Sequence, residues 1–379
     1  MSSGLPSIRP AGLPLLLLLA ALLLSACAGV RAPVSLATPR FLVGADISAL
    51  RTHEDHGALY TENGHPMDAV ALLRGSGFNC FRLRLFVNPN HVGVVDNDLP
   101  YTLALARRIR DSGALLLLDL HYSDTWADPS KQTKPAAWNQ LPFDQLVDQV
   151  RTYTRAVLSR FAAEGLAPAY VQIGNEITNG MLWPDGRVGF ARANDTAAWN
   201  RLAALLRAGV QGVSDAFPSG GGPKIIFHIE SAGNLPRTQW WVSSLLERHV
   251  PFDMIAFSYY PEWHGSLDNL RHALDWTART TGKPVLVAET AYPWRPDAHF
   301  SGMGSRYPYP PTPDGQLRFL RALAATVQSV PDGRGAGLFY WYPEAVPTPG
   351  LNVWLGGACA LFDSHGEILP AASFGLALR

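Results

Sequence analysis

A short apolar, β-rich run recurs eight times along this chain, each followed by a loop of polar and aromatic residues and then by a helical stretch. The runs are Phe41–Ile47, Cys80–Phe86, Leu115–His121, Tyr170–Glu176, Lys224–Glu230, Met254–Tyr260, Pro284–Glu289 and Gly337–Trp341. Helical patterns lie between them at Tyr101–Ser112, Phe143–Glu164, Ala197–Ala216, Trp240–His249, Leu267–Thr281 and Gly315–Ser329. In Phe143–Glu164, for instance, Leu146, Val150, Tyr153, Val157 and Phe161 fall on one face. Apolar runs without clean alternation suit parallel strands buried on both faces. Eight such units imply an α/β chain folded as a single (β/α)8 TIM barrel over residues 41–379. An open, doubly wound sheet competes, but no Gly-x-Gly-x-x-Gly turn follows any run. With 47% apolar and 16% charged residues, the chain has ample apolar surface for one large core, and disorder is excluded for its bulk. Lys+Arg and Asp+Glu number 31 each, so no strongly basic surface is available to capture nucleic acid.

The first 40 residues read as an address and a spacer. Residues 14–24 are an apolar run of Leu and Ala behind Pro14, too short to span a bilayer and suited to the core of an export signal. The run ends in Leu24-Ser25-Ala26-Cys27, which resembles a bacterial lipobox. The resemblance implies a signal over residues 1–27, lipidation of Cys27 as the mature N-terminus, and an exported protein held on a membrane by acyl chains. Ordinary cleavage after a small residue, releasing a soluble protein, is the competing reading. Residues 28–40 read as a tether. Cys80 and Cys359 remain, in apolar surroundings far apart in sequence; two buried thiols or one disulfide both fit.

The eight runs end in residues that a core does not need. Asp46 ends the first, Arg82 and Arg84 lie on the second, and His121 ends the third. Asn175-Glu176 ends the fourth, His228 and Glu230 the fifth, Tyr259-Tyr260 the sixth, Glu289 the seventh and Trp341 the eighth. Active sites of such barrels form where these strand ends converge. Glu176 and Glu289 stand on strands that face each other across the mouth, and paired carboxylates flanking a scissile bond are the apparatus of glycoside hydrolysis. Environment divides their labour. A neighbouring guanidinium such as Arg82 favours an ionised carboxylate, and poor solvation favours a protonated one. Either glutamate alone would pass for a salt bridge at the barrel rim.

Longer motifs narrow the reading. Gly44-Ala45-Asp46-Ile47-Ser48, Arg82-Leu83-Arg84-Leu85-Phe86-Val87-Asn88-Pro89 and Asp119-Leu120-His121-Tyr122-Ser123-Asp124-Thr125-Trp126-Ala127-Asp128-Pro129 occur in that order. Ile173-Gly174-Asn175-Glu176-Ile177, Leu182-Trp183-Pro184-Asp185-Gly186, Ser258-Tyr259-Tyr260-Pro261 and Gly337-Leu338-Phe339-Tyr340-Trp341 follow. From about residue 41 to 375 the chain resembles the endo-β-1,4-galactanases of glycoside hydrolase family 53, in the retaining clan A. The resemblance implies cleavage of β-1,4-galactan, as in the arabinogalactan side chains of pectin, with Glu176 as acid/base and Glu289 as nucleophile. It also implies that Arg82 lies beside the nucleophile, that His121 and Asn175 bind the sugar, and that Tyr260 hydrogen-bonds to Glu289. Trp341 would be the platform under the sugar, and Asp46 would tie the first strand into the polar network.

Trp126 and Trp183 are weighed as galactosyl-stacking residues, with Asp124 hydrogen-bonding nearby, against simple loop packing. His228 is weighed as a contact on the leaving-group side of the cleft against a satisfied core histidine. Residues 342–362 hold no acidic cage suited to calcium, so neither metal nor cofactor is expected. A monomer suits an enzyme needing an open groove. Two further readings compete: another retaining clan A endo-glycosidase such as a mannanase, and a non-catalytic, surface-attached glycan-binding barrel.

Overall fold

Each of the eight runs forms a strand: β1 Leu42–Asp46, β2 Cys80–Leu85, β3 Leu115–Leu120, β4 Tyr170–Ile173, β5 Lys224–Ile229, β6 Met254–Ser258, β7 Val285–Thr290 and β8 Gly335–Trp341. All pair in parallel with their sequence neighbours, and β1 pairs with β2 on one side and β8 on the other, so the sheet closes. The computed structural model describes residues 1–4, 41–190, 195–300 and 306–378. The export signal from residue 5, Cys27 and the tether lie outside the described residues. Among the described residues no helix is long and apolar enough to cross a membrane.

Besides two short helices, Leu50–Asp55 and Pro261–His264, the helices that follow the first seven strands are α1 Ala69–Gly75, α2 Leu99–Asp111, α3 Phe143–Ala163, α4 Thr196–Ala216, α5 Leu235–Glu247, α6 Leu267–Thr281 and α7 Pro313–Gln328. A 3₁₀ stretch, Pro370–Leu378, follows the eighth. Side chains set where the helices start. Asp68, Asp98, Asp195, Asn234, Ser266 and Thr312 each accept a hydrogen bond from a backbone N–H of the first turn. Helix α5 therefore begins at Leu235, not at Trp240 where its apolar periodicity becomes visible, because Asn234 caps it and Pro236 fits the first turn. In α3 the residues turned to the core are Leu146, Val150, Thr154, Val157, Leu158 and Phe161, and Tyr153 is half-buried at the edge of that face.

Alternation along the strands separates two cores. Outward residues such as Val43, Phe81, Leu118, Val171, Phe227, Ile255, Val287 and Leu338 pack in the large cluster beneath the helices. Inward residues Leu42, Cys80, Leu117, Tyr170, Ile226, Met254, Ala256, Leu286, Ala288 and Phe339 form a second cluster that plugs the barrel. Two residues further along the same faces stand Arg82, Asp119, Gln172 and His228, then Asp46, His121, Ser258 and Trp341 near the mouth. The barrel is thus oily at its base and polar at its top. Cys80 belongs to the oily layer, and both Cys80 and Cys359 are buried free thiols.

Gly44 sits on the inward face of β1 between Leu42 and Asp46. A Cβ placed there would lie 2.2 Å from the ring of Phe339, so the phenyl group occupies the space a larger residue would need. Gly44→Ala is expected to destabilise the barrel by about 1–3 kcal/mol through overpacking. Chemical denaturation checks this: the midpoint should fall, and Phe339→Leu in the same chain should recover part of the loss.

Candidate active site

Arg82 organises the top of the barrel. It is fully buried, and its guanidinium reaches five partners: Nη1 lies 2.9 Å from Asp46 Oδ2 and 2.9 Å from Glu289 Oε1, and Nη2 donates to Asp119 Oδ2 and Asn175 Oδ1, both at 2.8 Å. Nε donates to Gln172 Oε1 at 3.2 Å. Burial works against this cation, but Asp119, Glu289 and Asp46 outweigh it and hold the guanidinium charged above its usual range. Asp119, Gln172 and His121 complete the floor. Gln172 Nε2 donates to Asp119 Oδ1 at 2.7 Å, and His121 Nε2 stands 2.9 Å from Asp119 Oδ2. Burial raises the Asp119 carboxyl, but Arg82 and His121 overcome that and keep it below the usual carboxylate range.

Glu289 comes from β7, where the pairing with β6 slips so that Ser258 stands opposite it. Such register breaks re-aim side chains beside active sites. Tyr260, just past β6, donates from its hydroxyl to Glu289 Oε2 at 3.3 Å. Trp341, half-buried at the end of β8, presents its ring 5.8 Å from the Arg82 guanidinium.

Glu176 does not lie on a strand as the sequence suggests. Strand β4 ends at Ile173, and Gly174 (φ +77°) and Glu176 (φ +48°) both take left-handed conformations. That backbone suits the glycine; for Glu176 it is a strained position of the kind surrounding contacts must enforce. They do so on both sides. Gln132 Nε2 donates to the Asn175 carbonyl at 2.7 Å, and Trp241 Nε1 donates to the Ile177 carbonyl at 3.1 Å. The turn leaves Glu176 half-buried, with the Ser258 hydroxyl 2.6 Å from Oε1.

Both glutamates are shifted upward. Burial is the largest cause for Glu176, followed by the nearby charge of Glu289, and together they push its carboxyl well above the ordinary range. Burial also raises Glu289, to about 7, with Arg82 pulling down and Asp46 and Asp119 pushing up. The sequence pointed to Arg82 as the group keeping this carboxylate ionised. The contact is present, but burial and two extra carboxylates around one guanidinium outweigh it. Two carboxyls sharing a buried site do not ionise together. Arg82 lies against Glu289, so Glu289 loses its proton first and Glu176 retains its own.

The remaining sequence candidates separate by their partners. Asn175 Nδ2 donates to the Ala127 carbonyl at 2.9 Å, which leaves its second N–H for the cleft. Asp46 is buried on Arg82 and also accepts from the Ser48 N–H at 3.0 Å, a tie within the network. His121 is buried, and its Nδ1 accepts from the Ala127 N–H at 3.3 Å, so both ring nitrogens are turned to protein atoms. His228 is fully buried between Asn175 Oδ1 and Ser258 Oγ, each at 2.9 Å: of its two readings the satisfied interior histidine holds, and it has no face on the cleft. Asp124 accepts from the Asn88 and Ala136 N–H groups and braces two loops. Trp183 donates its indole N–H to the Asn179 carbonyl at 2.9 Å, carries the Arg187 guanidinium 4.4 Å from its ring, and stays half-buried.

Trp126 stands against Trp341 with ring centroids 6.0 Å apart and carries the Arg84 guanidinium at 4.2 Å. With Val94, Trp354 and Leu355 these two indoles line a depression of about 460 Å³ beside the site. A larger cavity, about 830 Å³, lies between the loop after β4 and the first turns of α4 and α5, and its lining includes neither glutamate. Sequence reading gave no role to Asp119, Gln172 or Ser258. The available signal was a lone polar residue inside an apolar run, two positions from other inward residues.

The family model described as Glycosyl hydrolase family 53 matches residues 42–374. A Niallia circulans protein, itself uncharacterized, is 38% identical over 347 residues, covering 88% of this chain and 93% of its own. The arabinogalactan endo-β-1,4-galactanase of Thermothelomyces thermophilus is 34% identical over 341 residues, covering 87% and 97%. Among solved structures, the family 53 catalytic domain of Ignisphaera aggregans superposes with a TM-score of 0.82 at 33% identity, over 90% of this chain and 97% of that one. The matched span includes all eight strands and both glutamates, and the chain belongs to glycosyl hydrolase family 53.

Proposed function

We propose that this protein is an endo-β-1,4-galactanase that cleaves galactan, including the arabinogalactan side chains of pectin, with retention of configuration. The carrying observation is the pair Glu176 and Glu289, both raised, with only Glu289 held on a buried arginine. The bond specificity rests on relatives named for that activity.

In this reading Glu289 attacks the anomeric carbon while Glu176 protonates the departing oxygen. A galactosyl-enzyme ester forms on Glu289. Glu176, now a carboxylate, takes a proton from the water that hydrolyses the ester. Tyr260, whose phenol is kept neutral by burial and by Glu289, steadies the nucleophile through its hydrogen bond. The free N–H of Asn175 addresses the sugar 2-hydroxyl, where hydrogen bonds strengthen in the transition state. Trp341 packs under the sugar ring at the cleavage point, and the Trp126 depression takes the units beyond it. The protein is exported and lipid-anchored through Cys27, with residues 28–40 as tether.

Linear β-1,4-galactan, offered beside mannan and xylan, tests the reading. Galacto-oligosaccharides from galactan alone are expected, with the β-anomer appearing first by proton NMR. Glu176→Gln should lower kcat on galactan by about 10²–10⁴-fold while sparing an aryl β-galactoside whose leaving group needs no acid. Glu289→Gln should abolish turnover of both.

Glu289 must be ionised and Glu176 protonated, so activity falls below the pKa of the first and above that of the second. The acid limb of kcat/KM is therefore expected more than a unit above the ordinary glutamate value of about 4.3. A limb near or below 4.3 would contradict this environment. For the anchor, Cys27→Ser should move the protein from the membrane fraction to the soluble fraction of expressing cells.

A further inference from the structure

Four groups run in line from the second strand to the acid: Arg82, Asn175, His228 and Ser258, ending on Glu176. Their donors and acceptors can be assigned one after another. Arg82 Nη2 is always a donor, so the Asn175 atom 2.8 Å from it is the carbonyl oxygen, and the Asn175 amide nitrogen faces the Ala127 carbonyl. His228 Nδ1, 2.9 Å from that Asn175 oxygen, must then carry a hydrogen. Burial first, and then the charge of Arg82, hold the imidazole well below its usual pKa, so the ring is neutral and Nε2 is an acceptor. Nε2 lies 2.9 Å from Ser258 Oγ, and Ser258 Oγ lies 2.6 Å from Glu176 Oε1. A serine hydroxyl has one proton and here has two claimants. If His228 takes it, the 2.6 Å contact needs a proton from Glu176.

We propose that Ser258 and His228 are positioning residues that hold Glu176 in its acid form until the bond breaks. The proposal rests on Glu176 being the general acid. In the resting enzyme Glu176 donates to Ser258, Ser258 to His228 Nε2, and His228 Nδ1 to Asn175. At cleavage the Glu176 proton goes to the glycosidic oxygen as its bond to the anomeric carbon breaks and the bond to Glu289 forms. Ser258 then turns its O–H from His228 to the new Glu176 carboxylate. That hydrogen bond appears only as charge develops, the condition under which an interaction accelerates a reaction. When water hydrolyses the ester, its proton returns to Glu176 and Ser258 turns back. No proton leaves the chain of groups at His228.

Other charges face the same groups. Glu289 from β7, Glu230 after β5 and Asp128 in the loop after β3 act on Glu176. Arg82 on β2, Asp119 and His121 from β3 and His264 after β6 act on His228. A direct field effect of His228 must therefore be separated from one relayed through Ser258.

A double-mutant cycle on the pH profile separates them. Removing the acceptor with His228→Phe frees the Ser258 proton for the carboxylate. The basic limb of kcat/KM on galactan should move down by about one pH unit, the size of one neutral hydrogen bond, with about a tenfold loss above the wild-type limb. His228→Gln, whose carbonyl oxygen can accept from Ser258, should restore the limb. In a Ser258→Ala background His228→Phe should leave the limb where Ser258→Ala alone puts it. An unmoved limb in His228→Phe, or an equal shift in the Ser258→Ala background, would overturn the relay. Wild-type enzyme carrying ¹⁵N-histidine gives a check independent of any variant. The His228 ring should titrate as Nδ1–H with bare Nε2 at neutral pH, and an imidazolium there would sink the proposal. Failure of the underlying assignment looks different: Glu176→Gln would then depress galactan and activated aryl galactoside equally.

Discussion

A guanidinium with no access to water has to be surrounded by acceptors, and Arg82 sets that condition at the centre of this barrel. Its partners come from β1, β2's neighbour β3, β4 and the turn after it, and β7. Removing one partner of a buried ion pair costs about 3–5 kcal/mol because the other charge stays behind unpaired. The strands that bring Asp46, Asp119 and Glu289 together are therefore held in register by the same contacts that shape the site. Three carboxylates around one cation leave excess negative charge, and that excess is part of what lifts Glu289. The arginine fixes the nucleophile's place and its first claim to ionise, but not an ordinary acidity.

The acid stands differently because it is attached differently. Glu176 belongs to a left-handed turn beyond β4, outside the sheet's hydrogen bonding, and among the described residues no cation lies on it. Its contact is a serine on the strand facing Glu289. Ser258 sits opposite Glu289 through the slipped register of β6 and β7, so one irregularity in the sheet positions the neighbours of both glutamates. A regular ladder there would set Ser258 and Glu289 in other rows.

Much of this was legible in the chain. Eight apolar runs gave the barrel, because strands buried on both faces lose the alternation that marks surface sheets. The strand-end carboxylates were visible because Glu176 and Glu289 interrupt apolar sequence. The inner network was harder to see for the same reason that the strands were easy. Within Leu115–Leu120 and Tyr170–Ile173 a single Asp119 or Gln172 reads as noise unless the inward face is already known. Asp124 and Trp183 show a different ambiguity. Polar and aromatic residues in a cleft loop suggest ligand contacts, yet hydrogen bonds also tie them to backbone groups: Asp124 to Asn88 in a neighbouring loop and to Ala136 in its own, and Trp183 to Asn179 in its own. His228 was ambiguous until Asn175 and Ser258, far away in sequence, were seen to take both of its nitrogens.

Stability and chemistry occupy different heights of the same barrel. Leu42, Leu117, Ile226, Leu286 and Phe339 fill the lower interior without a polar atom to satisfy, and Gly44 yields its space to one of them. In the layers above, Asp46, Arg82, Asp119, Gln172 and His228 are each hydrogen-bonded within one polar network. Such a network is worth having only when its members are paired, since an unpaired group in a dry site costs more than an apolar one in its place. The apolar plug lets the upper layers be arranged for proton placement instead of for packing. The strained turn at Glu176 and the serine with two claimants are tolerable because the strands that carry them are fixed from below.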